Sequence, residues 1–332
     1  MSTTSRPERS WRSLRSCLWL ALGLTSSAIG VGLIAREIDP VQLSLTLRSI
    51  EWSWIGVAVI LTLASYLTRM RRWTVLLRPL TFRPASLLRA LLSGQLLNHL
   101  LPIRMGDVVR SIFLGREPGS SFARILGSIL IEKAWDWLAL CVLVLIAAWA
   151  VPLPDWFLTP ARSIGLLAAG ILIGFVGVAA IPERWVSRGL AKLDRALTGL
   201  PARGRRFTHG NLQRLLDSLT ALRQRDTVAG AAGWTAITWG SSVVVNYAVQ
   251  RAFGFDSWLA ATTLLAVLMI GIALPPSIAA VGIFEGLSIL TLNVFGVSLE
   301  IALAIGLVLH LVVILPLIAS TALAWLYTTR RN

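Results

Sequence analysis

The chain has 332 residues, of which 55% are hydrophobic and only 14% are charged, and its mean hydropathy is +0.72. Soluble domains carry about 25% charged residues, so this composition excludes an ordinary soluble protein. The net charge of +15 is almost all arginine and falls between apolar runs, which is typical of cytoplasmic loops in a membrane protein and not of a nucleic-acid-binding surface. We therefore predict an all-α polytopic membrane protein whose partners are membrane lipids.

Apolar runs of about 18 or more residues predict spanning helices. About six full spans are expected: Cys17–Ala35, Trp52–Thr68, one within Phe122–Val151, Ile164–Ile181, Val228–Ala252 and Ile301–Tyr327. They belong to a single transmembrane domain, residues 16–329, which follows a basic segment, residues 1–15. Residues 183–226 are basic, with leucines at helical spacing, and are expected to lie along the cytoplasmic surface.

The distribution of arginine predicts the orientation. The N-terminus, the basic cluster 69–89, the segment 183–226 and the C-terminus are all expected to be cytoplasmic, in a bacterial cytoplasmic membrane. Residues 84–120 then begin and end inside, whereas residues 258–298 begin and end outside. Each is predicted to be a hairpin, either two thin spans or a re-entrant loop, and the two enter from opposite faces.

Helix-breaking residues lie at the centre of each predicted hairpin: Pro102 and Gly106 in the first, and Pro275, Pro276 and Gly282 in the second. Broken segments of this kind meet near the midplane in transporters built from inverted repeats and form the substrate site there. We expect an inverted-repeat, transporter-like arrangement with eight apolar segments. The alternative, that proline and glycine end ordinary helices, stays open.

The first hairpin contains charges that a bilayer disfavours. A charge at the bilayer centre costs about 2.5–3.5 kcal/mol, so such residues persist chiefly where they are paired or used. Proline suits the first turn of a helix, and we expect Pro102 to open one. Arg104, Asp107 and Arg110 would then share one side of it. They either neutralise one another or hold a lipid phosphate in the arginine forks, and both interpretations stay open.

A second charged group follows in the next span. Glu132 and Asp136 are four residues apart and share one helix face, so they need a cation between them unless one keeps a proton. We expect Arg104, Arg110 or Lys133 to supply that cation. These residues could form a purely structural network or a proton relay, and both interpretations remain open.

Glu285 is a lone carboxylate in an apolar stretch, and it is the strongest candidate for a functional residue among the single residues. Its alternative role is to cap a helix or to pair with Arg104 or Arg110. His310 is expected to be a hydrogen-bonded packing residue. The chain contains no phosphate-binding loop, no metal-ligand spacing and no nucleophile motif, so we predict no cofactor, no metal site and no catalytic residue.

A distinctive set of residues runs through the first hairpin and the next span: Asn98, Leu101, Pro102, Arg104, Gly106, Asp107, Arg110, Glu132, Lys133 and Asp136. It resembles the motif of a flippase-like integral membrane family related to the transmembrane region of lysylphosphatidylglycerol synthase. The later turn, from Pro275 to Glu285, resembles that family's turn ending in Glu. Asp107 stands where the family usually has Glu, and Lys133 stands where it has Arg. The resemblance covers roughly residues 20–325.

The resemblance implies a lipid translocase, flippase-like or scramblase-like, for a phospholipid or another anionic or aminoacylated lipid. Arg104 and Arg110 would hold the phosphate, and the nearby carboxylates would balance charge. We expect the flippase part alone, without an aminoacyl-transferring domain, and a separate lipid-modifying synthase as a second partner. One alternative is a polyprenyl-phosphate-dependent glycosyltransferase or lipid-modifying enzyme that uses Glu37 and Asp39. Another is a non-transporting scaffold of a lipid-synthesis complex.

Overall fold

The computed structural model describes residues 39–101, 105–150, 155–180, 224–271 and 280–329, with the isolated positions 25, 32, 210, 213, 214 and 218. These residues form ten α-helices and no β-strand. In chain order the helices are α1 Pro40–Arg48, α2 Trp52–Leu76, α3 Pro84–Leu100, α4 Gly106–Gly115, α5 Phe122–Ala150, α6 Asp155–Ala180, α7 Arg225–Ala252, α8 Trp258–Gly271, α9 Ile283–Asn293 and α10 Leu299–Thr329.

Three of the described helices are both long enough and apolar enough to cross a membrane. They are α2, α7 and residues Leu299–Tyr327 of α10, while α8 and α9 are apolar but shorter. The prediction of an all-helical membrane protein is therefore confirmed for the described part of the chain. The expected span Cys17–Ala35 and the expected surface segment 183–226 lie almost entirely outside the described residues.

The second predicted span was too short. It was expected to end at Thr68, with the arginines that follow in a cytoplasmic loop, but α2 continues to Leu76. Arg72 and Trp73 are fully buried on the inner face of this extension. The helix can carry Arg72 inward because carboxylates from α5 neutralise it there.

The centre of the bundle is built from α2, α7, α8, α9 and α10, which share one apolar core. Small residues such as Ala58, Ala248, Ala260 and Ala302 lie in that core and allow the backbones to approach closely, as is usual between membrane helices. Large apolar side chains are exposed on the outer faces, for example those of Leu67 and Leu145. The bundle therefore presents an apolar exterior to lipid.

Helices α3 and α4 lie in the segment expected to be the first hairpin, and they touch at a pair of glycines. A Cβ on Gly106 would collide with the backbone oxygen of Gly94 and would lie 2.8 Å from Cγ of Asn98. Helix α4 has 10 residues, which corresponds to a rise of about 15 Å and to half of a hydrocarbon core of about 30 Å. Its neighbour α3 has 17 residues.

The second helix of the first hairpin begins later than expected. The described helix begins at Gly106 and is preceded by the non-helical Met105, so it does not begin at Pro102. The start is determined by Asn98 of α3, whose Oδ1 accepts a hydrogen bond from the backbone N–H of Gly106 at 2.8 Å. The expectation that this helix begins at Pro102 is therefore wrong, and Pro102 and Arg104 lie outside the described residues.

Helices α8 and α9 form the second hairpin and pack against each other. Gly271, at the end of α8, faces Leu287 of α9 so closely that a Cβ would meet its side chain. Gly282 has a φ of 86° and is the N-cap of α9, a conformation that favours glycine. Pro275 and Pro276 lie outside the described residues.

Candidate functional site: a buried charge network

Arg72 is the centre of a buried charge network and has no exposed surface. Its Nη1 and Nη2 donate to the two oxygens of Asp136 at 2.7 and 3.2 Å, which is the forked geometry of a bidentate pair. Nη2 also donates to Oε1 of Glu132 at 3.2 Å. One arginine of α2 therefore contacts both carboxylates on the inner face of α5.

Glu132 extends the network to the first hairpin. Its second oxygen, Oε2, accepts a hydrogen bond from Nη2 of Arg110 at 2.9 Å, and both side chains are almost fully buried. The guanidinium of Arg110 lies over the ring of Trp73, 4.1 Å from its centroid. This stacking and the ion pair together fix the α4 side chain against α2 and α5.

Asp107 and Lys133 lie at the more open edge of the network. Asp107 is 3.5 Å from Nη1 of Arg110, one helical turn away, and 3.5 Å from Nζ of Lys133. The Lys133 side chain is 43% exposed, so this edge reaches solvent-accessible space. The six side chains of the network, Arg72, Asp107, Arg110, Glu132, Lys133 and Asp136, are three cations and three carboxylates, and their charges balance.

Uncharged side chains also form hydrogen bonds with members of the network and with Trp73, on which Arg110 stacks. Trp239 of α7 donates to Asp136 Oδ1 at 3.0 Å, and Thr235 accepts from Arg72 Nη1 at 3.3 Å. Trp73 is itself fixed by a hydrogen bond from its Nε1 to Ser128 at 3.1 Å. The network therefore joins α2, α4, α5 and α7.

Two of the buried arginine donors are unused. The Nε atoms of Arg72 and Arg110 are inaccessible to solvent and have no hydrogen-bond partner among the described residues. A buried polar group without a partner costs about 1–3 kcal/mol, so native proteins rarely keep one without a reason. These donors give the network spare capacity for an anion.

Glu285 belongs to a separate site, in the second hairpin. Its Oε2 accepts from the backbone N–H of Gly282 at 2.7 Å and so caps α9. Its Oε1 is hydrogen-bonded to Nδ1 of His310 in α10 at 2.7 Å, and the His310 ring stacks on Phe284. The capping alternative is therefore confirmed, while the expected pairing with Arg110 is wrong, because Arg110 binds Glu132 and Asp107 instead.

The structure brings together most of the candidate residues predicted in the first hairpin and in the span that follows it. Asp107, Arg110, Glu132 and Asp136 all lie in one network, and Arg110 supplies a cation to Glu132 as expected. The cation that contacts both Glu132 and Asp136 is Arg72, which was not among the three candidates, and Lys133 faces Asp107. Arg104 lies outside the described residues.

Arg72 and His310 were missed as site residues. Arg72 was assigned to a basic loop, although Thr62, Ser65, Arg69 and Arg72 follow one another at spacings of three or four residues and continue the inner face of the preceding span. That polar stripe was the signal. His310 carried no such signal, because its partner lies 25 residues away on another helix.

The sequence was also compared with known families. Residues 18–320 match the family described as lysylphosphatidylglycerol synthase TM region. The chain belongs to this family. Membership agrees with the motif in the first hairpin and with the apolar helices, and it associates this membrane protein with lipid handling. The comparison with curated proteins returned no match.

Proposed function

We propose that this family member is a lipid translocase that moves a phospholipid or another anionic or aminoacylated lipid between the two leaflets. The observation that carries the proposal is the buried, charge-balanced network around Arg72. Asp136 is the central residue of α5, a helix whose 29 residues correspond to about 43 Å. If α5 crosses the bilayer, the network lies near its midplane, where a lipid head group most needs polar partners.

Forked ion pairs suit a head group that must enter and leave. A lipid phosphate presents the same paired oxygens to a guanidinium as the carboxylate of Asp136 does. A phosphate could therefore accept hydrogen bonds from a guanidinium that stays paired with its carboxylate, through the donors that the carboxylate leaves unused. The unused Nε atoms of Arg72 and Arg110 are such donors. The lipid tails would stay in the bilayer, against the apolar outer faces.

The two hairpins supply the opening in this proposal. Helix α4 is too short to cross a bilayer, and it begins against α3 at the Gly94–Gly106 contact. We propose that α3–α4 and α8–α9 enter from opposite faces as re-entrant hairpins. The head group would then pass between them, with the basic loops and both termini cytoplasmic in a bacterial membrane.

The proposal is tested with purified protein in liposomes that contain a trace of fluorescent phospholipid. An external reducing agent bleaches the outer-leaflet label, and protein-mediated exchange then exposes the inner-leaflet label. We expect faster loss of the protected signal with protein than in protein-free liposomes, and slower loss with Glu285→Gln. Glu51→Gln removes the same charge at an exposed position and should match the wild type. Equal rates with and without protein would contradict translocation.

The enzyme alternative depends on Asp39, whose position in the structure favours a structural role. Its Oδ1 accepts a hydrogen bond from the backbone N–H of Val41 at 2.8 Å, so it is the N-cap of α1. Asn caps helices as well as Asp does. A translocase should therefore keep its rate with Asp39→Asn, whereas an enzyme that uses this carboxylate would lose its activity.

A further inference from the structure

Arg69 of α2 has an unusual position for a charged side chain. It lies one turn before Arg72, and its neighbours three and four residues away on the same helix face are all buried: Ser65, Tyr66, Arg72 and Trp73. Helical geometry therefore puts Arg69 in the middle of the inward face of α2. Arg69 itself is nevertheless partly exposed.

A partly exposed residue in the middle of a buried face indicates accessible space inside the bundle. The lipid-facing side of the same helix is formed by other residues, such as Ile60, Leu63 and Leu67, which are strongly exposed. The exposed part of Arg69 therefore does not face the lipid. Asp136 is also partly accessible, with 18% of its side chain exposed.

The positive charge of Arg69 is not balanced by a carboxylate of the network. It is close enough to Asp136 and Glu132 to interact with them electrostatically. It nevertheless forms no ion pair or hydrogen bond with any residue in the described part of the chain, whereas those two carboxylates are paired with Arg72 and Arg110. With Arg69 included, the site has four cations and three carboxylates and therefore a surplus of one positive charge.

We propose that Arg69 is the anchoring residue of a phosphate-ester site inside the bundle, with the ester phosphate bound between Arg69 and the edge of the Arg72 network. The inference deepens the proposed translocation and names the group that first holds the lipid phosphate. The dianionic or monoanionic ester supplies the negative charge that the site lacks, and the guanidinium fork matches its oxygens. Arg72 and Arg110 remain tied to carboxylates and position the site.

The test is a binding titration with protein purified in a maltoside detergent, which contains no phosphate. The probes are dihexanoyl-phosphatidylglycerol, dihexanoylglycerol, which lacks the phosphate, and glycerol 3-phosphate, which lacks the tails. Arg71→Gln is the matched control for Arg69→Gln, because Arg71 is exposed on the same helix two residues away. Arg69→Lys keeps the charge without the fork and serves as the second variant if Arg69→Gln does not fold.

We expect the short-chain phospholipid to bind wild type and Arg71→Gln equally, and Arg69→Gln about tenfold more weakly, the loss expected for one charge-assisted hydrogen bond. Arg69→Lys should bind with intermediate affinity. Wild-type affinity in Arg69→Gln, or equal binding of dihexanoylglycerol, would overturn the inference. Equal binding of glycerol 3-phosphate would support the ester site but assign it to a soluble ligand.

Comparing the binding titration with the liposome assay distinguishes a failure of this inference from a failure of the proposed function. Arg69-dependent binding in a protein that fails the liposome assay would support the ester site and contradict translocation. Translocation at the wild-type rate by Arg69→Gln, with unchanged affinity for the phospholipid, would support translocation and overturn the role of Arg69.

Discussion

Arg72 and Asp136 form a two-point ion pair between α2 and α5, with Nη1–Oδ1 and Nη2–Oδ2 distances of 2.7 and 3.2 Å. Arg72 is completely buried and only 18% of the Asp136 side chain is exposed, so the pair is largely shielded from water. Removing one partner of a buried pair leaves a charge that nothing compensates. The effect of each partner on stability can therefore be predicted.

Arg72→Met should lower the free energy of unfolding by about 3–5 kcal/mol, because Glu132, which is almost fully buried, and Asp136, which is largely buried, then lose the cation that they share. Denaturation in mixed detergent micelles measures this difference. Arg71→Met is the control and should change stability by less than about 0.5 kcal/mol, since Arg71 is exposed. Adding Asp136→Asn to Arg72→Met should restore part of the loss. A neutral Arg72→Met variant would show that the pair does not hold α2 to α5.

Gly106→Ala should destabilise the first hairpin. Its Cβ would meet the backbone oxygen of Gly94, which cannot rotate away as a side chain could. Overpacking of this kind costs about 1–3 kcal/mol. Gly240→Ala is the matched control, because a Cβ there has nothing within 4 Å and alanine favours the helix. Thermal unfolding of both variants gives the comparison, and equal stability would mean that α3 and α4 are not in close contact.

Glu285 and His310 should be energetically coupled, because a 2.7 Å hydrogen bond joins α9 to α10. A double-mutant cycle with Glu285→Ala and His310→Ala is expected to give a coupling energy of about 0.5–3 kcal/mol. The cycle removes the separate contribution of the Phe284 stack, which His310→Ala also loses. The cycle of Glu51→Ala with His310→Ala is the control and should be additive. Additivity in the first cycle as well would contradict the contact.

The local features of the site could be predicted from the sequence. The spacing of Asp107 and Arg110, and that of Glu132 and Asp136, places each pair on one helix face whatever surrounds it. A buried carboxylate pair also requires a cation, which is why Arg110 was among the candidates. These predictions depend only on helical periodicity and on the cost of buried charge.

Contacts between helices could not be predicted in the same way. Arg72 follows a recognisable span and resembles a cytoplasmic topology signal. The polar stripe that it continues indicates the inner face of α2, but its ion pairs depend on the position of α5, which no pattern in α2 specifies. The pairing of Glu285 with His310 depends on how α9 and α10 are aligned, and neither helix carries a pattern that specifies this alignment. Likewise, the start of α4 is set by Asn98, eight residues earlier on another helix.

The measurement that tests the central claim most directly is photo-cross-linking with a phospholipid whose photoreactive group is in the head group. The labelled residues are then located by mass spectrometry of the protein from liposomes. Head groups that enter the bundle should label the inner face of α2, at Tyr66, Arg69, Arg72 and Trp73, and residues 132–136 of α5. Labelling confined to outward-facing positions such as Leu67, Val142 and Leu145, which are exposed on the apolar exterior, would contradict passage of a lipid through the charge network.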